Sequence, residues 1–215
     1  MNVYCFWTGT NELTENRIHC LNQLYHTCGF NLFLVDPSNL HHFILPDHPL
    51  HPAYEYLSQT HKADYLRTYF MHFHGGGYSD IKETTGSWVD ACTELVKNED
   101  KWICGYPEIS NGVAYEPVSD KWYELIGNCA YICKPQTKLT FEWYSEMLAL
   151  LDTKLERLRL FPATHPQQEG NSSPDYNGYP IEWNEMLGRI FHKVAYKYKE
   201  HLLNHLPICV FTHYR

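Results

Sequence analysis

The sequence predicts an α/β fold. Two observations carry that expectation. Short apolar, β-branched or aromatic runs alternate with longer stretches of helical period along 215 residues, and the chain opens on an apolar run, an amphipathic stretch closed by glycine and a second apolar run. That order is a βαβ unit, the start of a doubly wound sheet. The length suits one domain with a substantial buried core, and no repeat or low-complexity segment divides it, so residues 1–215 read as a single domain.

Taken in order, "NVYCFW" and "NLFLVD" are expected as the first two strands, with a helix in "LTENRIHCLNQLYHTCG" that stops at Gly29. The proline-rich "NLHHFILPDHPLHPAYEYLS" is expected as an irregular surface connection. A helix follows in which Tyr65, Leu66, Tyr69, Phe70 and Phe73 recur at helical spacing. Further strands are expected in "KWICGY" and "NCAYIC", and a helix from about Leu139 to Leu160. "THPQQEGNSSPDYNGYP" is a polar loop. A final helix is expected from about Trp183 to Leu203, and a last strand in "ICVFTH".

Composition narrows the function. A formal charge of −8 with acidic and basic residues intermixed argues against a nucleic-acid partner. The first strand is not followed by G-x-G-x-x-G, so a dinucleotide site is not expected. "MNVYCFWTGTNELTENR" has no basic start and only a short apolar run, and no segment is long enough to span a bilayer, so the expected location is the cytoplasm. Eight cysteines lie in apolar stretches without a C-x-x-C pair, the pattern of reduced, buried thiols.

The chemistry concentrates in "HKADYLRTYFMHFHGGGYSDIK". Gly75, Gly76 and Gly77 end a helix and allow a tight turn into the next strand, which carries Asp80 to its end. Ligands of open α/β sheets bind at such strand ends. A carboxylate there can hold a divalent cation that neutralises a diphosphate, or it can be a surface Asp after a helix cap. Asp64 and Arg67 are three residues apart and share a helical face. They can contact a sugar hydroxyl and a phosphate, or form an ordinary intrahelical ion pair.

"KADYLRTYFMHFHGGGYSDIK" resembles the core of the D-x-D sugar-nucleotide glycosyltransferases of GT-A fold, in particular the group with outer-chain mannosyltransferases and capsular-polysaccharide transferases. Ala63-Asp64, Arg67, Gly75 to Gly77, Tyr78 and Asp80 fit that pattern. In length and layout the chain is similar to the small glycosyltransferase domains encoded by large viruses of chlorella algae, which would place it in the host cytoplasm. The resemblance implies a Rossmann-like GT-A mixed sheet flanked by helices. It also implies transfer of a hexose or deoxyhexose from a nucleotide sugar, with UDP as the expected nucleotide, to a glycan or glycoprotein acceptor, with retention.

Residue by residue, the resemblance implicates Trp7, Thr8 and Gly9 of "FWTG" at the nucleotide and Asp64, Arg67, Tyr78, Ser79 and Asp80 around the donor. "IGNCAYICKP" resembles the later strand beside the donor sugar, and "FTH" suggests that His213 joins Asp80 as a ligand of Mn²⁺ or Mg²⁺. Asp175 and Glu182, with Glu185 nearby, fall where such enzymes carry catalytic or acceptor-site residues; at a helix start they also serve as caps and dipole partners. One departure stands out. Whichever place Asp80 takes in D-x-D, the partner position holds Lys82 or Tyr78, so one carboxylate is missing.

Two other classes compete. A zinc hydrolase is suggested by "HHFILPDHPLHP" and "HFH", whose histidines lack H-E-x-x-H spacing. A catalytically silent carbohydrate or nucleotide-sugar binding module is suggested by the incomplete D-x-D.

Overall fold

The computed structural model describes residues 1–214. A six-stranded mixed sheet has the order β2-β1-β3-β5-β4-β6. Its strands are β1 (Asn2–Phe6), β2 (Asn31–Val35), β3 (Gly76–Ser79), β4 (Ile103–Pro107), β5 (Ile126–Cys133) and β6 (Leu202–Leu203). β1 pairs in parallel with β2 and β3, β5 runs antiparallel to β3 and β4, and β6 is parallel to β4. The mixed α/β sheet flanked by helices is therefore the architecture that the resemblance implies.

Alternation along β1 distributes its side chains between two cores. Val3 and Cys5 face helices α1 (Glu15–Cys28) and α3 (Val89–Lys97), packing with Cys20, Leu24, Cys28, Trp88 and Leu95. Tyr4 and Phe6 face helices α2 (Gln59–Phe73), α4 (Lys138–Leu160) and α5 (Gly188–Lys197), packing with Tyr65, Phe70, Trp143 and Phe191. α1 begins at Thr14, whose side chain accepts from the Arg17 amide, and ends at Gly29 with φ 81°, the left-handed cap that glycine accommodates. No helix among the described residues is long and apolar enough to cross a membrane.

The glycine triplet behaves differently at each position. α2 closes at His74, Gly75 takes φ 63° and Gly76, already in β3, takes φ 84°. A Cβ at Gly76 would also lie 2.6 Å from the Asn2 carbonyl oxygen, so the close β1–β3 approach excludes a side chain there. The chain thus reverses from helix to strand within two residues, which brings Asp64 and Arg67 of α2 beside Asp80.

Several expected elements differ. The last helix is α5 alone: Lys199–His201 forms a 3₁₀ turn and Leu202–Leu203 leaves it to pair with β4. "ICVFTH" is not a strand of the sheet. Its backbone meets the segment after β3 through a single antiparallel bridge, Thr84 with Cys209, with Thr85 N donating to Ile208 O and Val210 N to Glu83 O. Leu202–Leu203, expected as the end of a helix, pairs with β4 instead, while the chain after Pro207 crosses to the segment that follows β3. That crossing lays Phe211 and Tyr214 over the end of β3.

Candidate active site

A cleft of about 510 Å³ opens at the carboxyl ends of β1 and β3, walled by Trp7, Asp64, Arg67, Asp80, Lys82 and Trp183 among others. It is where an open α/β sheet gathers ligands. Contacts between elements distant in sequence fix the loop after β1 that borders it. Thr8 Oγ1 donates to the Gln59 carbonyl at 2.6 Å, tying the loop after β1 to the first turn of α2. Trp7 is held by its amide on the Val35 carbonyl and by Nε1 on the Asn11 carbonyl at 2.7 Å. Gly9 packs so closely on Gln59 and Asn11 that a Cβ would fall within 2.6 Å of both side chains.

Arg67 is the hub. One end of its guanidinium donates to the Asn128 carbonyl at 3.0 Å, and Nη2 lies 3.1 Å from Asp64 Oδ1 and 3.4 Å from Asp80 Oδ1. Its Cζ sits 4.4 Å above the Tyr78 ring, which stacks in turn on Phe6. The Nε is buried without a partner among the described residues. The intrahelical Asp64–Arg67 pair exists, and both of its residues line the cleft.

Asp80 continues the β3–β5 ladder, its amide donating to the Cys129 carbonyl at 2.8 Å. Tyr78 Oη donates to Oδ1 at 2.6 Å, and the Lys82 ammonium closes on Oδ2. Burial alone would raise the Asp80 pKa, but the charges of Lys82 and then Arg67 outweigh it and hold the carboxyl well below the usual range. Asp64 goes the other way: burial pushes its carboxyl up despite Arg67. Burial also opposes the charge on Lys82, yet Asp80 more than compensates and keeps it protonated.

The expected donor-side residues converge. Trp7, Thr8, Gly9, Asp64, Arg67, Tyr78 and Asp80 all border the cleft. Ser79 is buried, its hydroxyl donating to the Asp80 carbonyl, and takes no place in the wall. His213 is exposed with φ 55° and lies outside the cleft lining. Asp175 is exposed on the polar loop. Glu182 holds Arg189 at 2.5 Å and accepts from the Ser172 amide, while Glu185 binds Lys154 at 2.9 Å and accepts from the Glu182 amide. Glu182 and Glu185 thus brace the loop, and none of the three acids is among the residues that line the cleft.

The residues present do not fit a divalent cation as they stand. Both Asp80 oxygens already receive protein donors, and the described residues contain no group of three or more His, Cys, Asp or Glu able to hold a metal. The expected Mn²⁺ or Mg²⁺ site of Asp80 and His213 would need Lys82 displaced and His213 brought in from outside the wall.

Asn128 and Cys129 of "IGNCAYICKP" also border the cleft, as does a set that sequence reasoning passed over: Arg17, Lys82, Trp183 and Tyr214. For Lys82 the signal was present in "DIK", read there only as a missing carboxylate. Arg17 and Tyr214 are brought in by tertiary structure, the former through α1 and the latter through the C-terminal crossing.

No protein-family model matches the chain, and no curated protein sequence does. Among solved structures it is similar to the PaToxG glycosyltransferase, with a TM-score of 0.53 and 11% identity, over 91% of this chain and 68% of that one. At that identity the likeness is one of architecture: the chain has the fold of a glycosyltransferase.

Proposed function

We propose that the chain is a glycosyltransferase that moves a hexose or deoxyhexose from a nucleotide sugar, with UDP as the nucleotide, to a glycan acceptor with retention. The observation that carries this reading is the cleft itself, in which Asp64, Arg67, Asp80 and Lys82 meet at the carboxyl edge of the sheet of a glycosyltransferase fold. In this reading the base lies against Trp7, which lines the cleft. The exposed Trp183, which also lines the cleft, offers an apolar face to a sugar ring.

Glycosyl transfer develops negative charge on the departing diphosphate and positive character on the sugar. Fixed cations aimed at the first charge accelerate the step because they need no reorganisation as the charge grows. Arg17, Arg67 and Lys82 supply them, and Asp64 and Asp80 hold Arg67 and Lys82 in position. None of the three candidate acids beyond the cleft is required for this step.

The test is release of nucleoside diphosphate from UDP-sugars and GDP-sugars, with and without glycan acceptors, beside a thermal-shift screen of the same donors. Asp80→Asn should leave a folded protein whose turnover falls roughly 10²–10³-fold, the scale of losing a positioned electrostatic contact. A donor that binds but is neither hydrolysed nor transferred would identify a binding module instead. Failure of every donor to bind would remove both readings.

A further inference from the structure

The chain carries an excess of eight negative charges, yet among the described residues the charged ones that wall the cleft are Arg17, Arg67 and Lys82 against Asp64 and Asp80, three cations to two carboxylates. The local balance suits an anion. Lys82 is the least expected of these residues, since it occupies the position of an acid in D-x-D. Its ammonium carries three donors. One is taken by Asp80 Oδ2; the ring faces of Tyr214 at 4.6 Å and Phe211 at 5.3 Å to the centroid lie beside it, with the thiols of Cys129 and Cys209 near.

A divalent cation on Asp80 would compete with the Lys82 ammonium for the carboxylate and, by repulsion between like charges, displace it. The side chain of Lys82 is 7% exposed, so this would leave a buried ammonium between two aromatic rings with no counter-charge. The pair is also short-range and local: the Lys82 amide donates to the Asp80 carbonyl at 2.7 Å, which turns the chain so that residues 80 and 82 present their side chains to the same point. The C-terminal crossing then covers the lysine from above.

We propose that the Lys82 ammonium is the cation that holds the donor diphosphate, in place of a divalent metal. The inference rests on the glycosyltransferase reading and deepens it. During transfer the bond from the anomeric carbon to the diphosphate oxygen breaks with its electron pair on that oxygen, and the acceptor hydroxyl oxygen bonds to the same carbon. The hydroxyl proton passes to the leaving diphosphate. Lys82 neutralises the charge throughout and keeps its own protons.

Calorimetric titration of the full chain with UDP and with inorganic pyrophosphate, in EDTA and then in excess Mn²⁺ or Mg²⁺, tests this directly. The wild type should bind both probes in EDTA, with affinity changed less than about threefold by metal. Lys82→Gln should lose roughly 10²-fold in EDTA, the scale of removing one charged contact from an anion site, and Lys82→Arg should retain binding. Lys82→Asp, which restores a second carboxylate, should bind the probes only with metal. Binding by the wild type only in the presence of metal would overturn the proposal and leave the transferase reading standing. So would metal-free binding that Lys82→Gln does not weaken. Absence of binding under both conditions would overturn both, whereas Lys82-dependent binding without turnover of any nucleotide sugar would remove only the transferase reading. If Lys82→Gln fails to fold, the wild-type titrations and Lys82→Arg still decide between metal and ammonium.

Discussion

The Arg67 guanidinium lies 4.4 Å above the Tyr78 ring, so a helix residue and a strand residue eleven positions apart form one wall of the cleft. The same group bridges Asp64, Asp80 and the Asn128 carbonyl. An ammonium can satisfy one or two of these partners but not all of them in a plane. Arg67→Lys should therefore lower stability by about 1–3 kcal/mol, besides weakening donor binding. Urea denaturation measures this. An unchanged midpoint would show that the fork is not part of the fold's support and is available to ligand alone.

The Asp80 carboxyl is held below its ordinary value of 3.8, so the folded state binds its proton less readily than the unfolded state does. Stability from Asp80 is therefore present above that ordinary value and is lost as pH falls through the depressed one. Asp64 has the opposite sign. Its raised pKa makes the folded state the better proton binder, so its contribution falls as pH rises from 3.8 through the folded value. Stability differences between wild type and Asp80→Asn should shrink on acidification below about pH 4. The corresponding difference for Asp64→Asn should move the other way. Parallel curves for the two variants would contradict the opposed shifts.

Much of this arrangement could be read from sequence because it is local. α1 with its Gly29 stop, the strands around Cys5 and Leu34 and the long helix up to Leu160 follow from spacing, caps and breakers, whereas the proline-rich connection, expected as irregular surface, forms 3₁₀ turns at Leu40–His42 and Pro52–Tyr56 and buries Ala53 and Leu57. Asp64 and Arg67 were placed on one face by helical period alone. What escaped was set at a distance. Leu202 and Leu203 carry a helical pattern yet become strand because β4 offers an edge, and Cys209 meets Thr84 across 125 residues. The meaning of Lys82 was hidden for a related reason: a lysine two residues after an aspartate is commonplace, and although a local turn brings the two together, it is the distant Phe211 and Tyr214 that cover the pair.

Cys129 offers an independent check on the cleft. Its thiol borders the site, and burial, followed by the nearby Asp80 charge, pushes its pKa up to about 11. Thiolate is the reactive form. At pH 8 the native protein should react slowly with a thiol reagent such as DTNB, and denaturant should release all eight cysteines. Rapid native labelling mapped to Cys129 by mass spectrometry would show a thiol more ionised than this burial allows.

Glu182 decides what the acids of the polar loop do. Its carboxylate is spent on Arg189 at 2.5 Å and the Ser172 amide, and the Arg189 contact is the main reason its pKa lies below the ordinary value. Glu185 beside it neutralises Lys154, whose ammonium also donates to the Pro180 carbonyl. An acid held in this way is ionised and pinned to α5, which suits a brace better than a proton shuttle. Glu182→Gln should loosen the loop between residues 170 and 182, seen as faster amide exchange at Gly170 and Asn171, whose amides donate to Ile181 and Tyr179. Turnover should fall less than about tenfold, since general acid–base catalysis is worth on the order of 10²–10⁴-fold where it operates. A loss in that higher range without faster exchange would return Glu182 to the chemistry.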